Sequence, residues 1–241
     1  MTLSHQQKIA ACVLIFYWSA LFVLTHVPIP DAIQKADVSD KSLHFLAYLI
    51  LTFLLWSVVS GDKKVKWTRA APWLVLLVIV VYGILDEWLQ NYVAGRSCDV
   101  RDFFSDLAGA LTGLILSSFL TFWPAALLVV ATFIFGVTNV TRTNLADLLP
   151  LTDAVFHLIA YAILTILWIH CMHIFLTAKA HKAKWFISAI AGPAGFLIIV
   201  KLFSITAGKD FVLSEIIISF VAILVVAAVF YSRASLHKTK H

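Results

Sequence analysis

Long apolar runs, broken at proline, glycine and clustered charge, make up most of the chain, and about 20 consecutive apolar residues are what a helix needs to cross a bilayer. The pattern predicts helices near 8–25, 41–60, 71–91, 102–122, 124–138, 154–176, 186–206 and 211–232. The first run follows a short segment holding Lys8 and has no small-residue cleavage site after it, so it reads as a retained span rather than a signal peptide. The expected fold is all-α: a polytopic integral membrane helical bundle of about eight transmembrane helices, arranged as two parallel four-helix repeats over 1–123 and 124–241.

Composition agrees with the pattern and narrows it. Of 241 residues, 61% are hydrophobic and 13% charged, too little polar surface to cover a soluble core. Cys12, Cys98 and Cys171 lie far apart, which excludes a disulfide framework and a thiolate metal site. The net charge of +5 sits beside apolar spans, where orientation explains it better than nucleic acid, so the expected partner is the lipid bilayer and no nucleic acid. Lys63, Lys64, Lys66 and Arg69 fall in one short loop and Lys179, Lys182 and Lys184 in another. Short basic loops stay on the cytoplasmic side, which places both termini there in a multi-pass protein of the cell inner membrane. All acidic residues except Asp62 then fall on or near the outer face.

Shifting the chain by 113 positions aligns its halves. Asp40 meets Asp153, His44 meets His157, Ala47 meets Ala160, Tyr48 meets Tyr161, and Ile50-Leu51-Thr52 meets Ile163-Leu164-Thr165. Thr25 also meets Thr138, and Gly95-Arg96 meets Gly208-Lys209. Two Leu-rich helices would agree by chance at Leu and Ile, whereas these matches include Asp, His, Tyr and Thr. The expectation is an internal duplication, with the two copies running in the same sense.

Polar residues gather at one end of the first copy. Asp40, His44, Tyr48 and Thr52 recur every fourth residue and draw one stripe along a helix. Asp86, Glu87 and Gln90 close the third run, Gly95-Arg96 makes a turn, and Asp102 and Asp106 open the fourth. An unpaired polar group in lipid costs several kcal/mol, so these side chains should face the bundle interior or a wet cavity. The structural alternative is simple helix pairing, with Arg96 neutralising Asp40 or Glu87. The functional reading makes Asp40, His44, Asp86, Glu87 and Asp102 the candidate catalytic residues, and Lys41, Tyr48, Gln90, Arg96 and Asp106 the candidate substrate-binding residues. The second copy has Ile199, Val200 and Phe203 opposite Asp86, Glu87 and Gln90, with Ala154 and Ser219 opposite Lys41 and Asp106. It keeps Asp153, His157, Tyr161, Lys209 and Glu215, so any chemistry is expected in the first copy.

Other features carry structural readings. Gly109 and Gly113 are spaced for close helix approach. His170 and His173 fit a headgroup-facing pair, and Trp56, Trp67, Trp88, Trp123, Trp168 and Trp185 fit interfacial anchors. Lys201, the deepest basic residue, is expected to snorkel outward or pair with a carboxylate. Asn139-Val140-Thr141 has the glycosylation spelling, which is frequent by chance.

The string Asp40-Lys41-x-x-His44-Phe45-x-x-Tyr48, followed by Gly83-x-x-Asp86-Glu87-x-x-Gln90, Gly95-Arg96, Asp102 and Asp106-Leu-Ala-Gly109-x-x-x-Gly113, resembles the VanZ-like family of bacterial membrane proteins. The likeness covers residues 40–113, and residues 125–232 look like a second, decayed copy. The family commonly has Asn where Asp106 stands. The resemblance implies a cell-envelope membrane protein connected with resistance to the glycopeptide teicoplanin; it supplies no reaction.

Three functions compete. In the first, an enzyme acts on an envelope lipid or cell-wall precursor: carboxylates serve as general acid and base, His44 carries the proton, and Arg96 or Lys41 holds a phosphate or carboxylate. The same acids and His44 could instead hold a hard divalent cation. No cofactor follows from the sequence. The second is a non-catalytic module that binds precursors or antibiotics. The third, a transporter, fits parallel repeats but would want its charges nearer the bilayer centre.

Overall fold

The computed structural model describes residues 3–28, 40–96, 98–140, 150–175 and 183–238. Among these residues the chain forms eight helices: α1 (His5–Thr25), α2 (Asp40–Ser60), α3 (Ala70–Gln90), α4 (Val100–Phe119), α5 (Phe122–Val140), α6 (Pro150–Phe175), α7 (Ala183–Thr206) and α8 (Leu213–Lys238). All but α4 are long and apolar enough to cross a bilayer; Arg101, Asp102 and Asp106 in its first turns set α4 apart by composition. The chain is a multi-pass helical membrane bundle.

Helix ends depart from the hydropathy limits where local chemistry takes over. A capping box, with Ser4 Oγ accepting from Gln7 N–H and Gln7 Oε1 accepting from Ser4 N–H, starts α1 ahead of its apolar run. At the other end of the chain α8 continues through the mostly polar stretch from Ser232 to Lys238. Apolarity marks where a helix can meet lipid, and backbone hydrogen bonding carries the helix past that point.

Helix α3 shows why the exterior must be lipid. Its buried face is Pro72, Val75, Ile79, Gly83, Asp86, Glu87 and Gln90. Its exposed face carries Trp73, Leu74, Leu77, Val78, Val81, Ile84, Leu85 and Trp88. This inverts the polarity of a soluble protein's surface helix, whose apolar stripe faces the core. Helix α1 also turns large apolar side chains outward: it buries only Ala10 and Leu14, while Phe16 is 76% exposed.

The chain divides into two compact units, residues 1–136 and 137–241. In the first, α2 packs most extensively on α4, α1 on α2, and α3 on α4. The α2–α4 seam is close because Gly109 and Gly113 of α4 lie against the α2 backbone at Phe45 and Leu49. In the second, α6 packs on α8, and α7 on both. Two tryptophans expected at the interface are instead core residues. Trp185 is 2% exposed in a cluster with Ile169, Met172, Ala189 and Ala227, and Trp56 is buried with its Nε1 donating to the Lys63 carbonyl. Burying an indole removes more apolar area than any other side chain, and Trp56 also finds a hydrogen-bond acceptor. Thr141 of the glycosylation spelling lies outside the described residues, as do Lys179, Lys182 and Lys240.

Candidate functional site

The end of α1, the start of α2, the end of α3 and the start of α4 meet at one end of the first unit. Gly95, at φ +80°, turns the chain between α3 and α4, a conformation that side chains with a Cβ rarely adopt. Asp99 then caps α4 through the Arg101 N–H, and its own N–H donates to Glu87 Oε2 at 3.2 Å. The connection therefore fixes one oxygen of Glu87 and leaves Oε1 turned into the bundle without a hydrogen-bond donor.

His44 is the hub. Its Nδ1 lies 2.9 Å from Asp106 Oδ1 and 3.8 Å from Glu87 Oε1, while its Nε2 lies 3.8 Å from Asp40 Oδ1. Asp86 sits alongside, receiving hydrogen bonds from Thr25 Oγ1 at 2.9 Å and Gln90 Nε2 at 3.0 Å. His44, Asp86, Glu87, Gln90, Asp102 and Asp106 are all buried, as is Tyr48, whose hydroxyl lacks a partner. The structure brings these seven residues together. Asp40 and Lys41 stand at the mouth, half of each side chain or more exposed, with Lys41 Nζ 3.8 Å from Asp99 and 3.9 Å from Asp102.

Arg96 does something other than pair with an acid. Its guanidinium donates to the carbonyls of Leu24 at 2.8 Å and Val27 at 3.3 Å, and to Gln90 Oε1 at 3.5 Å. It ties the end of α1 to the end of α3. Among the described residues no Lys or Arg forms an ion pair with Asp86, Glu87 or Asp106, so helix pairing through Arg96 does not account for the buried carboxylates.

Two contributors escaped the sequence reading. Thr25 matched Thr138 in the self-alignment, yet nothing in its spacing pointed to Asp86, 61 positions away. Gly83 stood inside the motif, and its role is steric: a Cβ there would sit 3.5 Å from both Asp106 Oδ2 and the Tyr48 hydroxyl. Its missing side chain leaves room beside two oxygens without hydrogen-bond partners.

The second unit holds a different arrangement. His157 Nε2 faces Asp153 at 3.6 Å and Glu215 at 3.3 Å, and its Nδ1 lies 3.2 Å from Ser219 Oγ. The Lys201 ammonium pairs directly with Glu215, one of the two outcomes expected for it. A small, partly open cleft is lined by Asp153, His157, Lys201, Lys209, Asp210 and Glu215. Lys209, in the turn before α8, donates to the Thr138 carbonyl, and burial holds its ammonium below the ordinary lysine range.

Chemically, the first unit offers an imidazole flanked by carboxylates on both nitrogens, a set able to move a proton or hold a cation. Among the described residues, three groups bring donor atoms within 4.8 Å of one another: His44 with Glu87 and Asp106, His44 with Asp40 and Asp102, and His157 with Asp153 and Glu215.

Comparison with known proteins bears on the first unit. The VanZ/LLP1 family model matches residues 5–121. An uncharacterized protein of Schizosaccharomyces pombe is 30% identical over 81 residues, which is 33% of this chain and 47% of that protein. The chain thus spans about half the length of this curated relative. No solved structure matches.

Proposed function

We propose that residues 5–121, which the VanZ/LLP1 family model matches, form a VanZ-like domain that binds or transforms the polar headgroup of an envelope lipid or cell-wall precursor where α2, α3 and α4 gather their acids. The observation that carries this reading is the burial of Asp86, Glu87, Asp102 and Asp106 at one end of the bundle with no Lys or Arg among the described residues paired to the first two or the last, whose only ion-pair partners there are histidines. Four buried carboxylates cost the fold stability, and a structural role would have been met more cheaply by apolar side chains. Retaining them points to use. The position at the helix ends, near Lys41 at the mouth, suits a headgroup better than a solute crossing at mid-membrane.

In this reading the protein is a cytoplasmic-membrane protein with both termini in the cytoplasm and the site at the outer face, and its biological readout is the response to glycopeptides such as teicoplanin. The second unit is a related copy that has lost the chemistry. Four parallels support the duplication: Gly95 and Gly208 share a left-handed φ, and His44 and His157 each face the aspartate one turn before. Asp102 and Glu215 also approach those histidines from α4 and α8, and Arg96 and Lys209 each reach a carbonyl at the end of the preceding unit-opening helix.

The test is a deletion strain complemented with wild type, Glu87→Gln or Lys209→Ala, scored for envelope-lipid and precursor profile and for teicoplanin susceptibility. Glu87→Gln should behave as the deletion and Lys209→Ala as wild type. An unchanged lipid and precursor profile in the deletion strain, with altered susceptibility, would favour the non-catalytic binding module instead.

A further inference from the structure

We propose that His44, Glu87 and Asp106 bind a hard divalent cation of the Mg²⁺ or Mn²⁺ class, through the His44 Nδ1 and one oxygen from each acid.

The geometry comes first. Nδ1 of His44 lies 2.9 Å from Asp106 Oδ1 and 3.8 Å from Glu87 Oε1. Ligands bound to one such ion at about 2.0–2.1 Å stand roughly 3 to 4 Å apart around it. These three atoms come from α2, α3 and α4, so the packing of three helices fixes their spacing.

Unsatisfied atoms point to the same place. Glu87 and Asp106 are each more than nine-tenths buried, and Glu87 Oε1 and Asp106 Oδ2 have no hydrogen-bond partner. The buried Tyr48 hydroxyl is a third such atom. Orphaned oxygens at this depth are rare in folded proteins, and a bound ion with its water is a standard way to satisfy them. Gly83 keeps a methyl-sized space open next to Asp106 Oδ2 and the Tyr48 hydroxyl. Asp86 is engaged by Thr25 and Gln90; Asp102 Oδ1 also lacks a hydrogen-bond partner, but it lies 3.9 Å from the Lys41 ammonium, which already offsets its charge.

Beyond its donors, the site has the surroundings a ligating imidazole requires. The second nitrogen of such a histidine usually faces a carboxylate that fixes its orientation, and His44 Nε2 faces Asp40.

The second unit supplies an internal contrast. At the positions 113 residues on from Glu87 and Asp106 stand Val200 and Ser219, so two of the three ligands are gone. There the acid near the histidine, Glu215, is matched by the Lys201 ammonium. One unit brings its own cation to its histidine–carboxylate cluster; in the other, the ammonium of Lys41 faces Asp99 and Asp102, and among the described residues none pairs with Glu87 or Asp106, which leaves their charge balance to an ion from solution.

This inference concerns the same site as the headgroup reading but does not rest on it, and the two fail separately. Full-length protein in detergent, stripped with a chelator, is titrated with Mn²⁺ while the electron paramagnetic resonance signal of the unbound ion is followed. One Mn²⁺ per chain should bind and be displaced by Mg²⁺. Glu87→Gln and Asp106→Asn should each weaken binding by at least about tenfold, since even changes behind the ligands cost 10–100-fold; Glu215→Gln in the second unit should leave it unchanged. Pulsed measurement on the bound Mn²⁺ in the wild-type protein should show coupling to one imidazole nitrogen, a readout independent of how well any variant folds. Absence of stoichiometric binding, binding without nitrogen coupling, or loss in Glu215→Gln instead of Asp106→Asn would overturn the assignment. Stoichiometric Mn²⁺ with both lipid profile and teicoplanin susceptibility unchanged in Glu87→Gln cells would retain the ion and reject the headgroup reading.

Discussion

Replacing Gly109 with alanine tests how the α2–α4 seam holds the site. A Cβ at this position would overlap the Phe45 carbonyl oxygen of α2 and lie 3.0 Å from Leu49 N and 3.1 Å from the Phe45 carbonyl carbon. The obstacle is helix backbone, which cannot swing aside as a side chain can. A carbon rests comfortably about 3.3 Å or more from a carbonyl oxygen, so the helices must part by roughly 1 Å. His44 adjoins Phe45 on α2, and Asp106 lies one turn before Gly109 on α4. The same displacement therefore carries the 2.9 Å His44–Asp106 contact beyond hydrogen-bond range. Overpacking of this kind costs about 1–3 kcal/mol, and a backbone obstacle places Gly109→Ala in the upper part of that range. Thermal unfolding of detergent-solubilised protein, followed by size-exclusion recovery after heating, measures it. Gly195→Ala is the control, because nothing lies within 4 Å of a Cβ there; it should fall within about 0.5 kcal/mol of wild type. Equal stability of Gly109→Ala and wild type, with Mn²⁺ affinity intact, would refute the view that this seam sets the site's spacing.

Thr25→Val removes the hydroxyl that donates to the buried Asp86, and the stranded carboxylate oxygen should lower stability by about 1–3 kcal/mol, read by the same heating assay. Lys201→Met leaves Glu215 buried beside Asp153 without its ammonium and should cost about 3–5 kcal/mol, whereas Lys201→Met combined with Glu215→Leu should recover most of that loss. Arg96→Lys, which keeps the charge but not the fork that reaches Leu24, Val27 and Gln90 together, should destabilise the first unit measurably while leaving the Mn²⁺ stoichiometry at one.

Much of the fold was legible because lipid imposes one rule on every span: about 20 apolar residues, closed by polar or turn-forming ones. The lengths of α2 and α3 follow from that rule alone. Helix ends were less legible at Ser4 and beyond Ser232, where capping and backbone bonding decide and hydropathy is silent. The site's stripe was readable as well, since i, i+4 spacing puts His44 and Tyr48 on one face whatever surrounds them. Distant partners could not be read. Charge alone pairs Arg96 with an acid; the fold instead hands its guanidinium to carbonyls in and just beyond the last turn of α1, where helix-end acceptors are left unsatisfied. Trp56 and Trp185 misled for a related reason: their places near span ends suggest an interface, but which face of a helix they occupy depends on packing that the linear pattern does not contain.

The inverted polarity of α3 carries a consequence for biosynthesis. Chains enter a membrane from the amino terminus, so α3 reaches the insertion machinery when α1 and α2 have emerged and α4 has not. Thr25 can already receive Asp86, yet Glu87 still waits for the Asp99 amide, and His44 for Asp106. A nascent chain halted between α3 and α4 would expose an incompletely satisfied acid to lipid. Quality control should single out such truncated products, and the span that completes the first unit is the one whose own charged turns make it the least apolar.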